Sequence, residues 1–212
     1  MNQREKADEV ILIAHNCTDR TSTISREFSG IVTYELHTEE IWPIYARKYW
    51  FEKVTGDIIA CIDGDSVADS DWLEKITAPF SDPSTVGVWG KVYFYNNWRG
   101  NILSFFFFLQ WLPLLRHVFP FYFWWANFAC RRSTYEKVWG MDTCIDIADK
   151  LDLHYPAEDM ILSFLLLSIG KIIYRSKAIN FVYPWKFFDG TNRGQKQNED
   201  YQKIRKYFKT QN

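Results

Sequence analysis

The sequence predicts an α/β fold, a mostly parallel central sheet flanked by helices, in one domain over residues 1–212. Three observations carry that expectation. Val10-Ile11-Leu12-Ile13-Ala14, Ile31-Val32-Thr33-Tyr34 and Ile58-Ile59-Ala60-Cys61-Ile62 are apolar runs of strand length. Strands buried on both faces read this way, as they do in parallel sheets. Helical patterns separate the runs, and strands alternating with helices build an open sheet of this kind. The chain, at 212 residues, is long enough to bury a sizeable core and short enough for a single domain.

In order, Val10 to Ala14 is the first strand, ending in the polar turn His15-Asn16-Cys17-Thr18-Asp19-Arg20-Thr21. A short helix from Ser22 to Phe28 follows and stops at Gly30. Ile31 to Tyr34 is the second strand. Pro43 suits a first helical position and opens a helix to Val54, with Gly56 expected in the left-handed position past its end. Ile58 to Ile62 is the third strand and runs directly into Asp63-Gly64-Asp65-Ser66. Ser70 caps a helix to about Phe80, and Val86 to Phe94 alternates as a strand. Further on, Arg131 to Val138 is a short helix ended by Gly140. Ala157 to Ile169 is apolar on nearly all sides, which predicts a buried helix ended by Gly170. Ile172 to Tyr174 and Ala178 to Tyr183 are strand-like. Residues 190–212 form a polar, basic tail with a weak helical pattern from Tyr201 to Phe208. In open α/β sheets ligands bind beyond the carboxyl ends of the strands, where the Asp63 segment falls.

Composition narrows the function. Lys+Arg 25 against Asp+Glu 26 gives a formal charge of -1, so nothing draws the chain as a whole to nucleic acid, and none is expected as a partner. Cys17, Cys61, Cys130 and Cys144 form no CxxC pair and no Cys/His metal spacing; three of them lie in apolar or strand-like contexts and read as small buried hydrophobes, in a reducing, cytoplasmic compartment. The start, Met1-Asn2-Gln3-Arg4-Glu5-Lys6, is charged and lacks the apolar stretch of a signal peptide. Aromatic residues make up 18% of the chain and concentrate between Trp89 and Trp139. A membrane-spanning helix needs about 20 mostly apolar residues. The apolar stretch at 101–125 is broken before that by Arg116, His117 and Pro120. Tryptophan and tyrosine favour the headgroup region, so this segment is expected to touch a membrane surface or an acceptor, with a buried hairpin as the alternative.

Two acidic motifs carry the chemistry. Asp63 and Asp65, one residue apart at a strand's end with a glycine between, can converge on one hard divalent cation. An acidic turn capping the next helix is the plainer alternative. A calcium loop is disfavoured because Ala68 stands where such loops need glycine. Glu158-Asp159 follows Pro156 at the start of a helix, where a carboxylate can act as a base or simply complement the helix dipole. A metal pair with a separate base suits a transferase acting on a phosphate-bearing donor. His15, His37, His117 and His154 make no recognisable ligand set. Asp19 is most simply a turn residue capping the helix from Thr21.

These segments together resemble the family 2 glycosyltransferases, with their Rossmann-like GT-A fold and their cellulose-synthase-like and dolichyl-phosphate-sugar synthase members. Val10 to Thr21 resembles that family's strand followed by "DNCTDxT"; Ala46-Arg47-Lys48 through Gly56-Asp57-Ile58-Ile59 resembles its "AR-N…A-x-GDII" helix and strand. Asp63-Gly64-Asp65-Ser66 is similar to its DxD motif. Ala126-Asn127-Phe128-Ala129-Cys130-Arg131-Arg132-Ser133 with Val138-Trp139-Gly140-Met141-Asp142 resembles "GANFAxRRS…VGGFD", and Glu158-Asp159 matches its "ED" pair. The resemblance implies an inverting transfer of a sugar from a nucleotide-diphosphate donor to a sugar or lipid-linked acceptor. Asp65 would hold Mn2+ or Mg2+, Asp63 would lie near the ribose or sugar and at the metal, and Arg47 would assist at the nucleotide. Asp159 would be the base with Glu158 beside it; His15 and Asp19 would lie on the donor side, and Trp125, Asn127 and Arg131 in the acceptor region. It also implies work at the cytoplasmic face of the plasma membrane on an envelope glycan or lipid-linked acceptor. Three departures stand out: the family's leading "VIPAYNE" strand and helix are missing, His15 stands where the family commonly has the aspartate that reads uracil, and no Q-x-x-R-W follows Asp159. The first keeps a catalytically inactive or truncated binding or scaffolding domain as the rival reading, and the last argues against a processive polymerase. A nucleotidyltransferase would usually carry a glycine-rich, basic loop near its start, and none is present.

Overall fold

The computed structural model describes residues 3–94, 126–182 and 193–211. Trp125, the aromatic stretch at 101–125 and the end of the strand expected to reach Tyr183 lie outside the described residues. β1 (Ile11–His15) and β2 (Val32–Leu36) pair in parallel, with helix α1 (Thr21–Arg26) between them in sequence. Gly30, at a φ of 86°, turns the chain after α1. α2 (Pro43–Lys53) then leads to β3 (Ile58–Cys61), followed by the short β4 (Ser66–Ala68) and α3 (Trp72–Thr77). α3 gives way to a 3-10 turn at Ala78–Ser81 because Pro79 has no N–H to continue an α-helix. Asp71 takes the cap position expected of Ser70.

β5 (Thr85–Phe94), β6 (Phe128–Arg131), α4 (Arg132–Lys137), α5 (Gly140–Lys150), α6 (Glu158–Leu167), β7 (Lys171–Val182) and α7 (Arg193–Lys209) complete the described chain. The main sheet has the order β3-β6-β5-β7-β4. β3, β5 and β7 run one way, while β6 between β3 and β5 and β4 at the edge run the other, so the sheet is mixed. Both strand-like runs at its end are one strand, β7, which stays beside β5 through a register shift at Gly90/Lys91. The tail expected to be weakly helical is a helix from Arg193 to Lys209.

Alternating side chains send the sheet's apolar residues to two faces. Ile59 and Cys61 of β3 and Phe128 and Cys130 of β6 meet α2, α5 and α6 through Ile44, Met141 and Ile161. Ile58 and Ala60 on the other side, with Val88 and Ala129, face Trp72 and Ile76 of α3. The result is three layers, with helices on both sides of the sheet.

One expected backbone feature is replaced. Gly56 has no positive φ; instead the Glu9 carboxylate accepts hydrogen bonds from Thr55 N at 2.6 Å and Gly56 N at 2.9 Å. A distant side chain thus finishes the α2–β3 connection where a left-handed glycine was expected.

Candidate active site

At the carboxyl end of β3 the chain reverses in a tight turn, closed by Ser66 N donating to Asp63 O at 3.0 Å. Asp63-Gly64-Asp65 is that turn, in the position the sequence predicts. Both Asp65 carboxylate oxygens are withdrawn from solvent. The buried residues Ile44 and Phe51 seat α2 against the core, and this orientation carries Arg47 inward. Its guanidinium donates to Glu158 Oε1 and lies 3.5 Å from Asp63 Oδ1. One arginine therefore joins the two acidic motifs. The sequence placed Arg47 at the nucleotide and gave no sign of this bridge, because a pairing across 111 residues leaves no local pattern.

α6 begins at Glu158, preceded by Ala157 in the left-handed region at a φ of 44°. That conformation is costly for any residue with a Cβ, by about 1–2 kcal/mol, and here it turns the chain sharply into the helix. Ala157 has no side-chain cap to offer, so Asp159 accepts a bond from Met160 N at 2.8 Å. Glu158 is buried with only 7% of its surface exposed, and its charge is answered by Arg47. Burial, and next the Glu158 charge, push the Asp159 carboxyl up to about 7, against the opposing pull of Arg47 and of the Met160 N–H. A carboxylate poised near neutrality is a competent general base.

The other predicted positions fall in different places. His15 ends β1 and its Nε2 lies 2.8 Å from Glu40 O, while Asn16, left-handed at φ 50°, exchanges hydrogen bonds with the Thr38 backbone. They bind the β1 end to the loop before α2. Asp19 Oδ1 accepts from Thr21 N at 2.9 Å, which is the helix-start role read for it, and the Thr21 side chain first, then this N–H, hold its carboxyl below the usual range.

Asn127 and Arg131, read for the acceptor region, are both bonded within the fold. Asn127 is fully buried: Oδ1 accepts from Trp72 Nε1 at 2.8 Å, and Nδ2 donates to Lys91 O at 2.8 Å and Ala178 O at 2.9 Å. Its amide is committed to tying α3, β5 and β7 together, and Gly90 is required opposite because any Cβ there would overlap that amide. Arg131 pairs with Ile58 at the amino end of β3, whereas Phe128 pairs with Cys61 next to the acidic turn. Its guanidinium donates to Phe80 O, to Thr85 O at 3.0 Å and to Asp82 O at 3.2 Å, fastening the 3-10 turn at the opposite end of the strand. Trp125 lies outside the described residues.

Two features were missed in the sequence. Trp42, just before α2, meets Tyr155 edge to face at 5.8 Å. Asp200 of α7 grips the loop ahead of α6, accepting from His154 N and Tyr155 N at 3.0 Å each. The signal for Asp200 was its place in an apolar helical stripe with Tyr201 and Ile204, where a carboxylate calls for a partner.

Asp63 and Asp65 fit a hard divalent cation: both are oxygen donors in one turn, and the Asp65 oxygens face away from bulk water. Among the described residues no three His, Cys, Asp or Glu side chains cluster as a metal cage. Among the described residues no helix is long and apolar enough to cross a membrane.

The family model described as "Glycosyl transferase family 2" matches residues 1–139. A glucosyl-dolichyl phosphate glucuronosyltransferase of Haloferax volcanii is 29% identical over 87 residues, which is 40% of this chain and 28% of the relative. A mannosyltransferase from Pyrobaculum calidifontis, solved with GDP-Man and Mn2+, superimposes with a TM-score of 0.66 at 16% identity, over 96% of this chain and 56% of that one. Glucosyl-3-phosphoglycerate synthase from Mycobacterium tuberculosis, solved with Mn2+, UDP-Glc and phosphoglyceric acid, gives a TM-score of 0.59 at 16% identity, over 93% and 69%. The chain thus spans just over a quarter of the curated relative and little more than half of the mannosyltransferase.

Proposed function

The chain belongs to glycosyl transferase family 2, and from that premise we propose that it transfers a sugar from a nucleotide-diphosphate donor to an acceptor hydroxyl with inversion. The observation that carries the reading is the Arg47 bridge, which brings Asp63 of the first acidic motif and Glu158 of the second into one site with Asp159 beside them. The acceptor oxygen attacks the anomeric carbon while the bond from that carbon to the donor's diphosphate oxygen breaks. The acceptor proton passes to Asp159, and the nucleoside diphosphate leaves with the bonding pair. Glu158, neutralised by Arg47, sets the electrostatic surroundings of the base. Bound at Asp65 and Asp63, Mn2+ or Mg2+ would offset the charge on the departing diphosphate. A lipid-linked acceptor at the cytoplasmic membrane face is supported by the likeness to an enzyme named for glucosyl-dolichyl phosphate and by the aromatic composition of 101–125.

The test is calorimetric titration with UDP, GDP and their sugar conjugates, with and without Mn2+, on wild type and Asp65→Ala. Metal-dependent binding that the variant loses supports the reading and identifies the base preferred by the loop around His15. A folded wild type that binds none of them overturns it and leaves a scaffolding domain.

A further inference from the structure

We propose that Asp200, a carboxylate buried in the apolar face of α7, is a positioning residue that latches the loop ahead of α6 and so sets the placement of Glu158-Asp159; this rests on the transferase reading, in which Asp159 is the base to be placed. Asp200 is 1% exposed. Its neighbours on the same helical face, Tyr201 and Ile204, are buried in the interior, so the carboxylate has been carried into an environment that penalises charge. The compensation is local and directed. Oδ1 accepts from His154 N at 3.0 Å, Oδ2 from Tyr155 N at 3.0 Å, and His154 Nδ1 lies 2.9 Å from Oδ1. The other ring nitrogen of His154 lies 3.9 Å from the Glu199 carboxylate.

Only Pro156 and Ala157 separate this grip from Glu158, and neither bends freely. The proline ring fixes its φ near −65°, and Ala157 sits in the left-handed region, where a residue with a Cβ has little latitude. A displacement at Tyr155 is therefore passed on to the first turn of α6 instead of being absorbed. α7 is itself fastened to the body of α6 by Phe208 stacked on Phe164 at 4.9 Å. On its other side Tyr155 abuts Trp42, next to the helix that carries Arg47. The loop is thus clamped between α7 and the start of α2.

The test compares wild type, Asp200→Asn and Ile204→Val by residue-resolved amide hydrogen exchange and by donor binding and turnover. In Asp200→Asn, exchange at His154, Tyr155 and Met160 should quicken by about tenfold or more, as the loss of charge-assisted bonds implies. Turnover should fall by about tenfold through kcat with KM for the donor unchanged, because the base and not the donor site has moved. Ile204→Val loosens α7 but keeps the carboxylate, and should leave Met160 exchange and kcat as they were. Faster exchange confined to His154 and Tyr155, or an equal change at Met160 in Ile204→Val, overturns the proposal. If Asp200→Asn does not fold, Asp200→Glu, which keeps the charge and moves it by one carbon, is judged by the same criteria. A wild type that binds no nucleotide sugar defeats the transferase reading alone, and the exchange arms still decide whether the latch acts on α6.

Discussion

Arg47 serves two carboxylates at once, and its removal separates stability from chemistry. Arg47→Ala leaves Glu158 buried without its counter-charge, and breaking a buried pair is strongly destabilising; with Arg47 itself partly exposed, about 2–3 kcal/mol is expected in chemical denaturation. Adding Glu158→Gln should return part of that loss, which a double-mutant cycle measures. Arg47 also holds the Asp159 carboxyl down against burial, so in Arg47→Ala the acid limb of any pH–rate profile should move to higher pH. In wild type that limb should fall as pH drops through about 7, because only the deprotonated carboxylate accepts a proton. Stability runs the other way. The folded carboxyl binds its proton more tightly than the unfolded one does, so this group destabilises the fold as pH rises from about 4 through 7. Asp159→Asn should therefore raise the melting temperature at pH 8, lose that gain toward pH 4, and abolish transfer. The acidic positions stand out in the sequence because carboxylates in short motifs invite a chemical reading. Their joining by Arg47 does not, since the partners are brought together only by the fold.

At the scale of elements, boundaries followed local chemistry where local chemistry decided them. Pro43 starts α2 as read, and Gly30 turns the chain after α1. The left-handed Gly56 failed because a tertiary contact replaced it: Glu9 satisfies the N–H groups after α2. Burial raises the Glu9 carboxyl, but the Thr55 and Gly56 N–H donors outweigh it and hold the group below its usual range. Its contribution is thus present above the unfolded value of about 4.5 and is lost as pH falls through the depressed folded one. Glu9→Gln should cost about 1 kcal/mol at pH 7 in denaturant titrations, with the difference closing in acid. α5 went unread because a glycine, Gly140, looked like a stop after α4. In the structure Trp139 takes the left-handed turn at φ 57° and Gly140 opens the next helix. α7 was under-read because its polar residues hide a narrow apolar stripe.

For the molecule as a whole, the three-layer α/β form was legible from apolar runs alternating with helical patterns, whereas the antiparallel β6 was not. Its sequence carries a motif and no strand pattern of its own, and a strand's direction is fixed by its neighbours. Asn127 sits where α3, β5 and β7 meet and holds them by three hydrogen bonds. Asn127→Ala should lower stability by about 2–4 kcal/mol in denaturation, since three polar groups are left without their partner. Donor binding by the folded fraction should stay unchanged in calorimetry, as expected of a residue that supports the sheet and does not touch substrate. The Arg47–Glu158 bridge also has a consequence in time. Its partners stand 111 residues apart, so on a ribosome working at about 5–20 residues per second Arg47 emerges roughly 6–22 s before Glu158. The newborn chain holds Arg47 and the acidic turn without the helix that joins them, and the bridge can form only once α6 has been made.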